Sequence, residues 1–219
     1  MLDLNRKVIF THPPKCAGTT VEGLFGWHPS KYKGEDSRAY FEYFRKWKHA
    51  SLENHLAELH LMGEDASNYF VFSCIRNPWD RAVSWYHWRV KELARFKRNH
   101  PDEEPSERLR AILEASFEEF VIQDYKRVKG GRVNLLATSP FILSASGRKP
   151  DFIIRHENYL EGLRFVAEKF GLDADTAVPF NADVRPKEPH YREYYTSEQS
   201  ISIVAEMAKD SIEEFGYEF

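Results

Sequence analysis

Short apolar runs alternate along the chain with longer segments whose apolar residues recur three and four positions apart. The runs KVIFT (residues 7–11), YFVFSCI (69–75) and DFIIR (151–155) are rich in β-branched and aromatic residues, as strands buried on both faces are. Helices are predicted at residues 18–25, 37–49 and 52–62, and from residue 79 into the basic stretch 89–100. Further helices are predicted at residues 116–128, from the end of the third run to about residue 170, and at residues 196–219. This alternation predicts an α/β fold with a central, mainly parallel sheet flanked by helices.

Several of these helices carry recognisable start signals. Pro78 follows the second strand in a position that suits the first residue of a helix. Ser116 with Glu119, and Thr196 with Gln199, have the spacing of a capping box, in which two side chains satisfy N–H groups at the helix start. The final helix is expected to bury one apolar face, which carries Ile201, Val204, Ala205, Ala208 and Ile212.

Length and composition limit the class of protein. With 219 residues, of which 42% are hydrophobic, the chain suits a single globular domain spanning residues 1–219. The net charge of −3 gives no support for nucleic-acid binding. Neither a secretory signal nor an apolar run of about 20 residues is visible, so a cytoplasmic protein without a membrane span is expected. No feature of the sequence indicates an oligomeric state.

Three polar segments come directly after the three predicted strands. They are THPPKCAGTT after the first strand, RNPWDR after the second and RHEN after the third. In open α/β sheets, ligands bind beyond the carboxyl ends of the strands. The three segments are therefore expected to converge at one edge of the sheet and to form a ligand site there.

The first of these segments is similar to a phosphate-binding loop. A strand, a glycine and a helix start place backbone N–H groups around one point, while Lys15 supplies a charge and Thr19 and Thr20 supply hydroxyl groups. A triphosphatase loop, G-x-x-x-x-G-K-[ST], would need a glycine at Pro13 and a lysine directly after Gly18, where a threonine stands. The loop therefore predicts a site for a dianion-like group, and the order of its residues disfavours a triphosphatase. A tight strand–helix turn with an incidental lysine is the alternative.

The second segment adds an arginine at a strand end and a serine inside the following helix. Arg76 and Ser84 can both reach one phosphate, and an arginine is suited to a forked contact with phosphate oxygens. Taken in order, PPKCAGTT and RNPWDRAVS resemble the two nucleotide-binding motifs of the sulfotransferase superfamily. The segment FIIRHENY and the end of the chain are also similar to members of the branch that acts mainly on carbohydrates.

This resemblance implies a P-loop-like, three-layer α/β fold and the donor 3′-phosphoadenosine-5′-phosphosulfate (PAPS). Arg76 and Ser84 would hold the 3′-phosphate. The first motif would hold the 5′-phosphosulfate through Lys15, Cys16, Ala17, Gly18, Thr19 and Thr20. Cys16 departs from the family pattern, which commonly has threonine or another small residue there. Lys15 would also neutralise the charge that develops on the bridging oxygen as the nucleotide leaves.

Transfer to an acceptor hydroxyl needs a general base, for which histidine is suited. In the carbohydrate branch a Lys-His dipeptide recurs near this point, and a histidine in this segment serves as the base in some members. His49 is therefore the predicted base. A histidine that stabilises a helix C-terminus is the alternative role, and His55 and Glu53 are further candidates for the base. His12, which matches the first-motif histidine of the family, is expected to pack or hydrogen-bond at the strand end.

The polar residues after the third strand and the basic stretch 89–100 each allow two interpretations. Arg155 and Glu157 either contact the nucleotide or acceptor, or form an ion pair that braces a turn. The basic stretch 89–100 either receives an anionic glycan or is a solvated helix face. Cys16 and Cys74 are too few for a disulfide scaffold or a four-thiolate metal site, so buried, reduced thiols are expected. No metal is required, and the nine histidines show no convincing ligand spacing.

The resulting hypothesis is a PAPS-dependent sulfotransferase that acts on the hydroxyl of a small-molecule or glycan acceptor, with a carbohydrate or glycolipid expected first. Two other classes remain open. One is a kinase-like phosphotransferase, which would need magnesium and a nucleoside triphosphate. The other is a non-catalytic nucleotide-binding protein that kept the loop but lost the base.

Overall fold

The computed structural model describes residues 1–28, 42, 44, 46–104, 106–107, 110–111, 115–176 and 189–219. The chain divides into two compact units, one formed by Met1–Arg76 and Thr138–Phe180 and the other by Asn77–Ala137 and Asn181–Phe219. Numbered along the chain, the helices are α1 (Gly18–Leu24), α2 (Leu52–Leu61), α3 (Pro78–Asn99), α4 (Phe117–Lys129), α5 (Ser139–Ile142), α6 (Tyr159–Lys169), α7 (Glu198–Met207) and α8 (Lys209–Phe215). Short 3₁₀ helices lie at Ala66–Asn68, His156–Asn158, Ala174–Thr176 and Tyr191–Tyr194.

A sheet forms the centre of the first unit, and its strand order in the described residues is β1-β2-β3-β4. The strands are β1 (Leu2–Asp3), β2 (Val8–Thr11), β3 (Phe70–Ile75) and β4 (Phe152–Arg155). β2, β3 and β4 run parallel, and β1 pairs antiparallel with β2. The three predicted strands and the α/β class are confirmed. β1 was not predicted, because two residues are too few to carry an apolar pattern.

Both faces of this sheet are covered by helices of the same unit. Ile9 and Val71 point to one face and pack with Leu52 and Leu59 of α2. Successive side chains of a strand point to opposite faces, and the neighbouring strand residues accordingly join the other cluster. That cluster contains Val8, Phe10, Phe72, Cys74 and Ile154 from the strands, together with Val21 of α1 and Val166 of α6. β2 and β3 read as continuous apolar runs because both are buried on both sides, whereas Ile154 is the one buried residue of β4.

The second unit is helical in its described residues. α3 begins as predicted, with Pro78 in its first turn and the Asn77 side chain accepting the N–H groups of Trp79 and Asp80. The capping box of Ser116 and Glu119 at the start of α4 is also confirmed. Within this unit, the indole Nε1 of Trp79 donates to the carbonyl of Ile201 at 3.0 Å.

The predicted start of the last helix is wrong by one residue. Ser197, not Thr196, caps α7, because its hydroxyl accepts the N–H of Ser200 at 3.3 Å. The N–H of Thr196 instead donates to the carboxylate of Glu118 at 3.0 Å, which holds this residue outside the helix. The helix is also interrupted at Ala208, so that α7 and α8 replace the single helix expected at residues 196–219.

The predicted helix at residues 37–49 lies mainly outside the described residues. Residues 42, 44, 46 and 47 of that segment are helical, and Phe44 and Trp47 are buried. None of the helices in the described parts of the chain combines the length and the apolar character needed to cross a membrane.

Candidate active site

The loop between β2 and α1 has an unusual backbone. β2 ends at Thr11, and Lys15 and Ala17 both adopt left-handed conformations, with φ values of 66° and 64°. Residues other than glycine rarely adopt this conformation, and it costs about 1–3 kcal/mol where it persists. Left-handed residues that alternate with ordinary ones turn successive N–H groups toward a common concavity, which favours an anion. Ala17 precedes α1, which begins at Gly18, and it supplies no capping side chain.

Residues that follow the other two parallel strands hold this loop in place. Arg76, directly after β3, donates from Nη1 to the carbonyl of Lys15 at 3.3 Å. The hydroxyl of Tyr159, after β4, donates to the carbonyl of Ala17 at 3.1 Å. Burial raises the pKa of Tyr159 well above its usual value, so the phenol stays neutral and remains a donor. The segments after three strands therefore meet at one loop, as the sequence predicted.

A buried histidine–carboxylate pair lies behind the loop. His12 Nδ1 and Glu22 Oε1 are 2.7 Å apart, and both side chains are almost completely buried. Burial lowers the pKa of His12 despite the attraction of Glu22. Burial alone would raise the pKa of Glu22, but the hydrogen bond from His12 and the charge of Lys48 lower it overall. At neutral pH, a neutral His12 therefore donates its Nδ1–H to an ionised Glu22.

The ring of His12 explains why residue 18 is a glycine. A Cβ atom at Gly18 would lie 2.2 Å from Cδ2 of His12. The first turn of α1 thus approaches the imidazole so closely that only glycine fits. The expectation that His12 packs and hydrogen-bonds at the strand end is confirmed.

His49 is attached to the same region through the backbone. Its Nδ1 lies 2.7 Å from the carbonyl oxygen of His12, so that the neutral ring carries its proton on Nδ1 and a lone pair on Nε2. Although part of the residue is exposed, the protein packed around it lowers the pKa of His49 to about 3, and the nearby charge of Lys48 contributes in the same direction. The imidazole is therefore neutral at physiological pH, as a base must be, but weakly basic.

A family model described as the sulfotransferase family matches residues 1–218. The chain belongs to the sulfotransferase family. It is therefore a transferase of sulfuryl groups, and its α/β fold agrees with that assignment. Neither the curated proteins nor the solved structures compared with it contain a significant match.

In this sulfotransferase, the first unit brings most of the predicted site residues together. Lys15, Ala17 and Thr19 are half-buried, while Cys16 and Thr20 are buried in the loop and the first turn. The thiol of Cys16 donates to the carbonyl of Pro14 at 3.6 Å. Both cysteines are free and buried, as expected.

Ser84, the remaining predicted residue, belongs to the second unit. It lies on the second turn of α3 and is 7% exposed. Arg155 and Glu157 are exposed at the end of β4, where both of their proposed roles remain predictions. Among the described residues, no group of three or more metal-binding side chains is present.

The two other candidates for the base occupy structural positions. His55 is fully buried on α2 and stacks on Trp47, with ring centroids 5.4 Å apart. The carboxylate of Glu53 accepts the backbone N–H of Ala145 at 2.8 Å.

Sequence reasoning missed two residues of this sulfotransferase site, Glu22 and Lys48. The signal for Glu22 was an acidic residue on the buried, otherwise apolar face of a short helix, since buried carboxylates are almost always paired. Lys48 gave no signal beyond its position before His49. Its Nζ lies 3.4 Å from the hydroxyl of Thr19 and 3.6 Å from Oε2 of Glu22.

Proposed function

We propose that this sulfotransferase uses PAPS as its donor and transfers the sulfuryl group to an acceptor hydroxyl, with a carbohydrate or glycolipid as acceptor. The family match supports the type of reaction and spans residues 1–218, which favours one catalytic domain over residues 1–219. The carbohydrate acceptor rests on the similarity of the segments around Arg155 and the C-terminus to the carbohydrate branch.

The loop that carries Lys15 is the observation that supports the donor. Its left-handed residues and uncapped first turn offer N–H donors, and its lysine and threonines add a cation and two hydroxyl groups. These groups suit the 5′-phosphosulfate. The guanidinium of Arg76 donates to the carbonyl of Lys15 in the same loop, and Arg76 is assigned, with Ser84, to the 3′-phosphate. A guanidinium at a strand end is suited to bind phosphate oxygens in a forked geometry.

The chemistry assigned to the residues is charge stabilisation and proton transfer. PAPS supplies a sulfuryl group whose sulfur bonds to the acceptor oxygen as the bond to the bridging phosphate oxygen breaks. Lys15 stabilises the negative charge that develops on that bridging oxygen. Nε2 of His49 accepts the proton of the acceptor hydroxyl, because its Nδ1 is held by the carbonyl of His12.

Calorimetric titration without metal tests the donor assignment. We expect 3′-phosphoadenosine-5′-phosphate (PAP) to bind with a dissociation constant in the micromolar range or below. Lys15→Ala and Arg76→Ala should each weaken PAP binding on the order of ten- to a hundredfold, the value of a charged hydrogen bond. Lys46→Ala is the control, because Lys46 is exposed and its ammonium lies over Trp47, 4.7 Å from the ring centroid.

Magnesium-ATP in the same titration tests the kinase-like alternative. Binding of ATP with magnesium but not of PAP would overturn the sulfotransferase donor. PAP binding with no transfer to any hydroxyl acceptor, oligosaccharides and phenols included, would favour the non-catalytic nucleotide-binding protein. Full transfer activity in His49→Ala would show that His49 is not the base.

A further inference from the structure

The C-terminal half of α3 borders a cavity in the second unit. The cavity has a volume of about 380 Å³, which is in the range of small-molecule sites. Its lining residues in α3 recur three and four positions apart, as Arg89, Leu93, Phe96 and His100 show. This spacing places them on one face of the helix.

Part of the lining is apolar and aromatic. Leu93 is 1% exposed, and Phe96 is half-buried. The imidazole of His100 stacks on the ring of Phe96, with centroids 4.7 Å apart and planes inclined by 20°. Nδ1 of His100 lies 3.1 Å from Oε1 of Glu103, which helps to hold the imidazole in this position. The lining therefore offers an apolar, partly aromatic surface against which a flat ring can pack.

The two arginines of the lining differ in their partners. Nη1 of Arg89 donates to the carboxylate of Glu92 at 2.9 Å. Among the described residues, the guanidinium of Arg95 takes part in no hydrogen bond or ion pair, and neither does the side-chain amide of Asn99. These two side chains lie one helical turn apart, so both can donate to one oxyanion. The single available cation matches an oxyanion with one negative charge.

We infer that this cavity binds a small carboxylate that carries a flat apolar ring. Arg95 and Asn99 hold the carboxylate, and the ring packs against Leu93 and Phe96. A few polar groups beside a mainly apolar, concave lining are typical of small-molecule sites, whereas a solvated helix face has no such lining. The cavity residues belong to the second unit and the loop with Lys15 to the first, so the inference does not rest on the proposed function.

Titration with naphthalene-2-carboxylate, followed by nuclear magnetic resonance of the backbone amides, tests the inference. We expect a dissociation constant in the millimolar range or below, with the largest signal shifts in residues 89–100. Naphthalene-2-methanol has the ring without the charge, and acetate has the charge without the ring. Each should bind at least about threefold more weakly, because the cavity contacts both parts of the carboxylate ligand.

Two arginines of α3 form a matched pair for this titration. Arg95 lines the cavity, whereas Arg98, also exposed, lies outside its described lining. Arg95→Gln should weaken binding of the carboxylate about three- to tenfold, a modest factor because the guanidinium is exposed. The same change should leave the binding of naphthalene-2-methanol unaltered. Arg98→Gln removes an equal charge from the same helix and should leave all three dissociation constants unaltered.

Each outcome bears on the inference. Carboxylate binding that shifts residues 89–100 and is weakened by Arg95→Gln but not by Arg98→Gln supports it. No binding, or equal weakening by the two changes, overturns it and identifies the basic stretch as a solvated helix face. Equal affinity for naphthalene-2-methanol, or shifts confined to residues 12–20 of the donor loop, overturns it as well. None of these measurements involves PAPS or PAP, so a failure here leaves the proposed function intact.

Discussion

Each of the two units buries a charged side chain, and the two charges are held in different ways. In the second unit, Arg81 is 2% exposed and donates to the carbonyl oxygens of Leu136 at 3.2 Å and Leu135 at 2.6 Å. In the first unit, Glu22 is fully buried and its charge is met by two side chains, His12 at 2.7 Å and Lys48 at 3.6 Å.

The difference lies in what the partners can do. Backbone carbonyl groups do not titrate, and they cannot change rotamer as a side chain can. The contacts of Arg81 therefore hold the segment of Leu135 and Leu136 in place and contribute to stability. The partners of Glu22 are an imidazole and an ammonium, which respond to pH and to bound anions. A buried charge whose partners are titratable side chains beside a loop is typical of a functional site. We therefore expect Arg81 to act on stability alone, and Glu22 to hold the ring of His12 beside the loop.

The largest effect is expected where the partners are fixed. Arg81→Ala should lower the free energy of unfolding by roughly 3–5 kcal/mol, because at least two carbonyl groups lose a charged donor and a large buried side chain is removed. Urea unfolding followed by circular dichroism measures this loss. Arg95→Ala, at an exposed position of the same helix, is the control and should change stability by less than about 0.5 kcal/mol. Equal effects of the two changes would contradict the structural role of Arg81.

A smaller effect is expected beside Glu22, where the ring of His12 is clamped. Gly18→Ala should cost about 1–3 kcal/mol, because the new Cβ atom would lie 2.2 Å from Cδ2 of His12 and the ring cannot swing away while Glu22 binds its Nδ1. In a His12→Ala background the same change should be neutral or stabilising, since alanine is the better helix former.

Unfolding of the four proteins in this double-mutant cycle measures the coupling between residues 12 and 18. Gly130→Ala is the matched control, because the nearest atom to a Cβ there, the carbonyl oxygen of Lys126, is 3.4 Å away. Additive effects of the Gly18 and His12 changes would mean that the imidazole adjusts freely and that Glu22 does not clamp it.

The same contrast explains which parts of the molecule could be predicted. The strands and the loop before Gly18 were visible because apolar runs and turn residues are local signals. The capping box at Ser116 was equally visible, whereas Thr196 was assigned wrongly because the carboxylate of Glu118, 78 residues away, decides its conformation. A competitor for a backbone N–H that is distant in sequence leaves no local pattern.

The candidate site divides in the same way. Lys15, Arg76 and His49 were identified from motifs, and the structure places all three in one unit. Glu22 and Lys48 were missed because their importance comes from packing between α1 and the segment before α2. The left-handed conformation of Lys15 was also not predictable, because a residue other than glycine is expected to have a negative φ. The surrounding fold must impose this conformation.

The smallest expected effect concerns the pH dependence of stability, to which His49 of the first unit contributes. The pKa of His49 is lowered from 6.5 in the unfolded chain to about 3 in the folded protein. As the pH falls below 6.5, His49 binds a proton in the unfolded state but stays neutral in the folded state. The contribution of His49 to stability is therefore fully present above pH 6.5 and is lost progressively toward pH 3. The limit for one histidine between pH 6.5 and about 5 is roughly 2 kcal/mol, and partial exposure of the ring reduces this to about 1 kcal/mol.

Urea unfolding at about pH 7 and about pH 5 therefore distinguishes His49 from a surface histidine. His49→Gln should lose less stability than the unaltered protein between these two pH values, by about 1 kcal/mol. The remaining loss comes in part from His12 and His55, whose pKa values burial also lowers. His60→Gln, at an exposed position of α2, makes the same substitution away from the site and is the control measured at both pH values. If His49→Gln loses as much stability as the unaltered protein, the ring accepts a proton in the folded state, and the contrast with the fixed partners of Arg81 does not extend to His49.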